Sequence, residues 1–161
     1  MDTILVQLSE HEWTTQALHL ACAIGRHAEA RIHLLRLMPV RHLSYLGTPL
    51  GDTPIPTEEW QRLKEYGRIA EEYGVDIQLH PMQCVSTLDA LVDAAEQLDA
   101  DVVFAHIPEA ALPFWRQLRL WKLERRLKAS RRQLFTLERP LNATLEAPFV
   151  SIRLIHTENS K

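Results

Sequence analysis

The sequence predicts an α/β fold: a doubly wound, mostly parallel sheet of five strands with helices on both faces, plus an extra carboxyl-terminal edge strand. Short, nearly continuous apolar runs recur along the chain, as is typical of strands buried on both faces. Each of the first four runs is followed by a segment with helical spacing, and strands separated by helices pair in parallel through right-handed crossovers. With 161 residues the chain suits one such domain. We assign residues 1–138 to the α/β unit and 139–161 to an extension of the same domain.

The first half of the chain predicts three strands and two helices. Residues 4–8 form the first strand, and SEHE at 9–12 has the pattern of a capping box, so Ser9 is expected to cap a helix to about residue 27. Residues 30–38 form the second strand, which Pro39 ends. The segment over 40–56 has three prolines and two glycines, and loops this long are usually functional or mobile. Thr57 is expected to cap the second helix, Gly74 ends it, and residues 75–80 alternate as the third strand.

The second half predicts three strands and two more helices. STLD at 86–89 is a second capping box, so Ser86 is expected to cap the third helix. Residues 101–106 and 133–137 form the fourth and fifth strands. Residues 147–155 alternate as a sixth strand, which follows a turn-like segment at 140–146. Because no helix precedes the sixth strand, we place it antiparallel at the edge of the sheet.

The helical segment between the fourth and fifth strands has an irregular pattern. Its apolar residues lie on two different helical faces, Phe114, Leu118 and Trp121 on one and Leu120, Leu123 and Leu127 on the other. A single straight amphipathic helix has one apolar stripe. The pattern therefore predicts a break near residues 119–120.

Composition narrows the class of protein. No apolar run approaches the roughly 18 residues that a spanning helix needs, and the opening MDTILV has an acid where a secretory signal has positive charge. We therefore expect a cytoplasmic protein with no membrane segment. Cys22 and Cys84 provide neither a disulfide framework nor metal-finger spacing. The net charge of −3 is unevenly distributed, since residues 116–132 hold eight Lys or Arg against one Glu.

Two stretches of the chain resemble the universal stress protein family. They are TILVQLSEHEWTTQALHLACAIGRHAEARIHLLRLMP at 3–39 and STLDALVDAAEQLDADVVFAHI at 86–107. The likeness lies in the hydrophobic pattern, the caps and the spacing, and it covers residues 2 to about 137. It implies a parallel sheet of strand order 3-2-1-4-5, a dimer in most members, and bound ATP in some members but not in others.

The loop that this resemblance matches to the phosphate site has unsuitable chemistry. Nucleotide-binding members have an aspartate where this chain has Ser9, and glycines at positions matching His106, Glu109 and the neighbourhood of 119–121. Glycines let backbone amides approach phosphate oxygens. Pro108 has no amide, and Glu109 would place a carboxylate against a polyphosphate. We therefore expect no cofactor and no ATP binding in the family manner, with AMP or ATP at a remodelled site as the alternative.

Ligands of such sheets bind in the crevice outside the carboxyl ends of the strands. The candidate crevice residues are Ser9, Met38, Cys84, His106, Glu109 and Trp121. A zinc site built from His11, Cys84 and His106 is not favoured, because no close ligand pair supports it; we expect His106 to be a hydrogen-bonded residue at the crevice rim. Neither Ser9 nor Cys84, with His11 or His80 as base, lies in a recognised nucleophile motif. We therefore predict no catalytic residue and no enzyme.

The aromatic and basic residues of the fourth helical segment allow more than one interpretation. We interpret Phe114, Trp115 and Trp121 as packing residues that fill the volume of an absent nucleotide, rather than as a membrane-surface motif. The basic run from Arg116 to Arg132 is then an exposed, charged helix face and not a nucleic-acid site. An adaptor for nucleic acid or for an acidic partner stays an alternative.

The predicted assembly and role follow from the edge of the sheet and from the resemblance. An apolar sixth strand has amides that need partners, so we expect a homodimer built around the fifth and sixth strands. The sequence thus predicts a stress-associated or regulatory binding module.

Overall fold

A computed structural model of the chain describes residues 2–40, 55–108, 113–138 and 151–155. Its elements, in chain order, are β1 (Thr3–Gln7), α1 (His11–Ala28), β2 (Arg31–Pro39), α2 (Thr57–Tyr73), β3 (Ile77–Cys84), α3 (Thr87–Gln97), β4 (Val102–Phe104), α4 (Pro113–Ala129), β5 (Gln133–Glu138) and β6 (Ser151–Ile155). They confirm the predicted α/β class. Most of the 40–56 loop, Glu109 and the 140–146 turn lie outside the described residues.

The sheet has the order β3-β2-β1-β4-β5-β6. The first five strands are parallel to their neighbours, which confirms the predicted order 3-2-1-4-5. β6 pairs antiparallel with β5, Leu134 lying opposite Ile155. From the central β1 the chain winds outward to β3 on one side and then, starting again at β4, to the other. The point where the winding reverses, between β1 and β4, is where folds of this kind open a ligand crevice.

Two apolar cores lie on the two faces of the sheet. Successive side chains of β1 point to opposite faces, so Ile4 and Val6 belong to one core and Leu5 to the other. The first core packs against α1 and α2, with Trp13 fully buried in it. The second packs against α3 and α4 and includes Leu123 of α4. Burial on both faces explains why the strands are apolar runs rather than alternating ones.

The third strand is longer than its alternation predicts. Sequence alternation indicates a strand over 75–80, whereas β3 continues to Cys84 through Pro81. β3 is an edge strand, and among the described strands it pairs with β2 alone. At an edge the missing amide of a proline can face away from the neighbouring strand, so Pro81 does not end the pairing.

Two of the predicted helix caps are wrong. α1 begins at His11 after Glu10, and no side chain caps it, so Ser9 lies one residue too early. α2 begins at Thr57 itself, after Pro56, again without a side-chain cap. In the first case the Ser9 hydroxyl has a distant hydrogen-bond partner. A capping pattern is local, so it does not reveal that a distant residue competes with the helix amides for the serine hydroxyl.

The other two predicted helix ends are confirmed. The Ser86 hydroxyl accepts a hydrogen bond of 3.4 Å from the amide of Asp89 at the start of α3. Gly74 follows α2 in the left-handed conformation, with φ of 69° and its amide bonded to the carbonyls of Ala70 and Glu71. Glycine adopts this conformation without steric cost.

The predicted break in the fourth helical segment is wrong, because α4 is one continuous helix. Its inner face, with Leu120, Leu123 and Leu127, is buried against the sheet. The interpretation of the aromatic residues as packing residues is also wrong, since the side chains of Phe114, Trp115 and Trp121 are exposed by 64%, 50% and 52%. α4 is continuous because its second apolar face, which holds these aromatic residues, needs no burial against the sheet and stays about half exposed.

Within the described ranges, no helix is both long enough and apolar enough to cross a membrane.

Candidate functional site

The crevice at the switch point is bridged by a serine–histidine pair. Ser9 follows β1 and His106 follows β4, the two strands between which the winding of the sheet reverses. Ser9 Oγ and His106 Nδ1 share a hydrogen bond of 2.7 Å. His106 is thus a hydrogen-bonded residue of the crevice, as its sequence position predicts, and its partner is the residue expected to cap α1.

Both members of this pair are held by neighbouring groups. The His106 amide donates a hydrogen bond of 3.0 Å to Gln7 Oε1, and the His106 ring lies 5.2 Å from the ring of the buried Trp13. The Ser9 amide donates to Thr14 Oγ1 over 2.9 Å. Contacts from β1 and the first turn of α1 therefore fix the orientation of the pair.

Two cavities flank the pair, and Ser9 lines both of them. The α2-side cavity, of about 560 Å³, is bounded by the ends of β1 and β2 and by α2, and Met38 lines it. The α3-side cavity, of about 540 Å³, is bounded by β1, by the segment after β4 and by the start of α3, and His106 and Arg119 line it. Two spaces that meet at Ser9 can hold two parts of one extended ligand.

The α2-side cavity is lined by two arginines, Arg36 and the exposed Arg62, and by two glutamates, Glu58 and Glu59, so its formal charges balance. Arg36 is paired with Glu59 through Nε–Oε1 and Nη2–Oε2 contacts of 2.5 and 2.7 Å, and its Nη1 lies 3.5 Å from Met38 Sδ. Burial raises the pKa of the Tyr66 phenol, which therefore stays neutral at physiological pH. These groups suit a neutral polar ligand group rather than a phosphate.

The α3-side cavity has one cation and one acid in its lining, Arg119 of α4 and Glu10. Arg119 is exposed and lines this cavity together with Ser86 and Thr87 at the amino end of α3. A helix amino terminus and a guanidinium both favour negative charge, and the Glu10 carboxylate partly offsets them. Pro108 lies in the same wall and has no amide to offer to a phosphate. The cavity therefore suits a single anionic group better than a polyphosphate chain.

Two of the candidate crevice residues do not join Ser9 and His106. Cys84 is buried, and burial raises the pKa of its thiol, the opposite of what a nucleophilic cysteine needs. Trp121 lies on the exposed face of α4, where the Arg125 guanidinium is 5.4 Å from its ring. Glu109 lies outside the described residues. Met38 reaches the crevice, on the α2 side.

His11 and His80, which the sequence offered as a disfavoured metal ligand or base, have other partners. His11 Nδ1 is 3.2 Å from the Tyr66 hydroxyl, and His80 Nε2 is 2.6 Å from His33 Nδ1, away from the crevice. Within residues 2–40, 55–108, 113–138 and 151–155, no three histidine, cysteine or acidic side chains lie together as metal ligands would.

Sequence reasoning missed Gln7 and Arg119. Gln7 is a polar residue inside an otherwise apolar strand, and its buried side chain accepts the His106 amide bond. Buried polar groups need hydrogen-bond partners, so this residue was a usable signal for the site. Arg119 lies in the stretch 119–121 that the resemblance matches to the phosphate site, but its residue type there argued against a phosphate contact, and it is one of eight cations in the 116–132 run.

Comparisons with known proteins identify the fold. No family model and no curated protein matches the sequence. Among solved structures, a universal stress protein in complex with cAMP is similar at 18% identity and a TM-score of 0.58, over 85% of this chain and 96% of that one. A protein of the universal stress protein family from Burkholderia pseudomallei is similar at 16% identity and a TM-score of 0.56, over 84% of this chain and 95% of that one. A universal stress protein from Archaeoglobus fulgidus in complex with dAMP is similar at 16% identity and a TM-score of 0.51, over 86% of this chain and 98% of that one.

Proposed function

We propose that this chain, which has the fold of the universal stress proteins, is a cytoplasmic regulatory binding module that does not bind ATP in the manner of nucleotide-binding members. The supporting observation is the hydrogen bond between Ser9 and His106. An imidazole ring occupies the place where a glycine would let the backbone approach a phosphate chain. Pro108, two residues later, provides no amide. The proposal assigns no catalytic residue.

The proposal is tested by thermal unfolding with and without ATP and magnesium. A ligand at one hundred times its dissociation constant stabilises a protein by about 2.7 kcal/mol, which for a domain of this size raises the melting temperature by roughly 5–10 °C. We expect no change at millimolar ATP. A rise of several degrees would contradict the proposal.

A second candidate function, binding of an adenosine monophosphate, is favoured by the two cavities that meet at Ser9. The α2-side cavity suits a base and ribose, and the α3-side cavity, with Arg119 and the start of α3, suits one phosphate. Two of the similar structures hold cAMP and dAMP. Ser9, Met38 and His106 would contact the ligand between these ends.

This second function is tested by the same melting measurement with AMP and cAMP. Stabilisation by AMP but not by ATP is the expected result, and Arg119→Gln should remove it. Arg68→Gln is the matched control, because Arg68 is an exposed arginine of α2 that is paired with Glu72 over 4.0 Å and lines neither cavity. Equal loss in both variants, or no shift with either monophosphate, excludes this function.

We further propose that residues 139–161 form an extension whose strand mediates a homodimer. β6 is paired with β5 on one side only, and an edge strand presents amides and carbonyls to a second copy. Pairing around a two-fold axis satisfies both copies with the same surface. Deleting residues 146–161 should convert a dimer to a monomer of lower melting temperature, as measured by light scattering and thermal unfolding. A deletion variant that stays dimeric and equally stable would contradict this assembly.

Cytoplasmic location has one structural support. Cys22 and Cys84 are both free thiols, as is usual where glutathione and thioredoxin keep thiols reduced. Burial raises the pKa of Cys22 to about 11, so this thiol is inert as well as unpaired. Fractionation of expressing cells, with recovery of the protein in the cytoplasmic fraction, is the direct test.

A further inference from the structure

The outward surface of α4 combines exposed aromatic rings with exposed cations. We call it the α4 outer face, defined by Phe114, Trp115, Leu118, Arg119, Trp121, Lys122, Arg125 and Lys128. The three aromatic side chains are at least half exposed, whereas the aliphatic residues of the opposite helix face are buried. Large aromatic residues that no core needs usually mark a contact surface.

The cations of this face follow a regular spacing. Arg119, Lys122, Arg125 and Lys128 occur at every third position, and all four are exposed. Three residues advance an α-helix by about 4.5 Å and turn it by 300°, so the charges form a row that shifts by about 60° at each step and crosses the outer half of α4 from Arg119 to Lys128. Such a row suits a linear anion with regularly repeated charges.

One cation of this face contacts an aromatic ring, and the other two rings contact each other. The Arg125 guanidinium lies 5.4 Å from the centre of the Trp121 ring, and the rings of Phe114 and Trp115 are 5.5 Å apart. A cleft of about 410 Å³ opens beside Trp121, between α4 and the start of α3, and is lined also by Lys122 and Arg125. A flat, unstacked group can enter there and stack on the indole.

The distribution of charge along the chain favours binding of an anionic partner at this face. Residues 116–132 hold eight Lys or Arg against one Glu, although the whole chain has a net charge of −3, so the remaining chain is acidic. Arg126 is already paired with Asp89. A polyanion is therefore attracted to α4 and repelled elsewhere.

We propose that the α4 outer face binds single-stranded nucleic acid, with phosphates along the row of cations and bases stacked on the aromatic rings. Proteins that bind single strands without sequence preference combine these two features. An anionic lipid surface fits less well. Arg125 lies at the same helical angle as Phe114 and Leu118, so the apolar stripe ends after two turns, whereas an interfacial helix keeps its apolar face along its length.

The test measures binding of fluorescein-labelled oligo(dT) of about 16 nucleotides, the upper site size of single-strand-binding domains, by fluorescence anisotropy. We expect Trp121→Ala to weaken the affinity about fivefold to 100-fold, as the loss of one stacked base does. Trp115→Ala is a second variant with the same expectation. Both side chains are half exposed, so both variants should keep the melting temperature of the parent protein.

The chain offers a matched control on α2. Trp60 is 49% exposed, and Lys64 Nζ lies 5.9 Å from its ring centre, so this pair has the same chemistry as Trp121 and Arg125 on an acidic helix. Trp60→Ala should leave the affinity unchanged. If Trp60→Ala weakens binding as much as Trp121→Ala does, the proposal is wrong.

The salt dependence tests the phosphate contacts separately. Each neutralised phosphate of a single strand contributes about −0.7 to the slope of log affinity against log salt, so the double variant Lys122→Gln, Arg125→Gln should reduce the slope by about 1.4. A duplex of the same length, whose bases are not accessible, should bind more weakly. Absence of binding at about 50 mM salt, or binding only to vesicles containing phosphatidylserine, overturns the proposal.

Discussion

At the scale of single residues, the hydrogen bond between the buried His33 of β2 and His80 of β3 makes the stability of the fold depend on protonation. His33 is only 6% exposed, and its Nδ1 lies 2.6 Å from Nε2 of His80. A hydrogen bond between two imidazoles needs one N–H and one lone pair, so the pair cannot carry two protonated rings. Burial lowers the pKa of His33 first of all, and the positive charges of His80 and Arg31 lower it further.

We predict that acid destabilises the protein through this pair. Because the folded state lowers the pKa of His33 below its unfolded value of 6.5, the stabilisation is complete above pH 6.5 and is lost as the pH falls through the folded pKa. The free energy of unfolding should therefore decrease on acidification, by at most about 1.4 kcal/mol per pH unit for one proton. Urea unfolding at several pH values measures it.

The control for this prediction is another histidine. His33→Gln should flatten the pH dependence, whereas His19→Gln should not, because His19 is partly exposed and bonds only to the Tyr73 hydroxyl among the described contacts. An unchanged pH dependence in His33→Gln would assign the acid sensitivity to other groups.

Residue roles were less predictable from sequence than residue positions. Ser9 and His106 were both placed at strand ends, but the SEHE pattern suggested a cap, and a partner 97 residues away decided otherwise. Hydrogen bonds between distant residues leave no local pattern. Gln7 is an exception, because a polar residue in an apolar strand is itself a local signal. It implies a buried hydrogen-bond partner even when that partner is unknown.

At the scale of elements, α2 contains two glycines in opposite situations. Gly67 lies inside the helix with open space where a Cβ would be, whereas Gly74 ends the helix with φ of 69°. We predict that Gly67→Ala stabilises the protein by about 0.5–1 kcal/mol, because alanine restricts the unfolded chain and favours helix. Gly74→Ala should destabilise it by about 1–2 kcal/mol, because a Cβ is strained in this conformation.

Chemical unfolding of the two variants measures this difference. They have the same added methyl group in the same helix, so each is the control for the other. Equal effects of the two changes would mean that backbone conformation is not what distinguishes the positions.

Element types were predicted well and element ends less well. Apolar runs predicted four strands of the parallel sheet, and alternation over 75–80 predicted the third, since both patterns reflect burial directly. The predicted break in α4 failed because the pattern rule assumes that every apolar face is buried. Exposed Phe114, Trp115 and Trp121 violate that assumption, and sequence alone does not say which of two apolar faces meets the sheet.

At the scale of the whole molecule, the alternation of strands and helices predicted parallel pairing, and the resemblance predicted the order of the strands. The two cavities at Ser9 were not predictable in the same way, because the groups that line them come from five separate elements. The switch point gave the place of the site, and tertiary packing determined its charge.

The central position of β1 has a consequence for synthesis of the protein. β1 is made first, yet one of its two neighbours, β4, ends only at Phe104. Until the ribosome has released that segment, the edge of β1 facing β4 has no partner, and the Ser9–His106 bond cannot form. Non-local parallel pairing of this kind slows folding and exposes strand edges to aggregation. We expect nascent chains ending near residue 100 to be protease-sensitive and to bind holdase chaperones, and full-length chains to lose both properties.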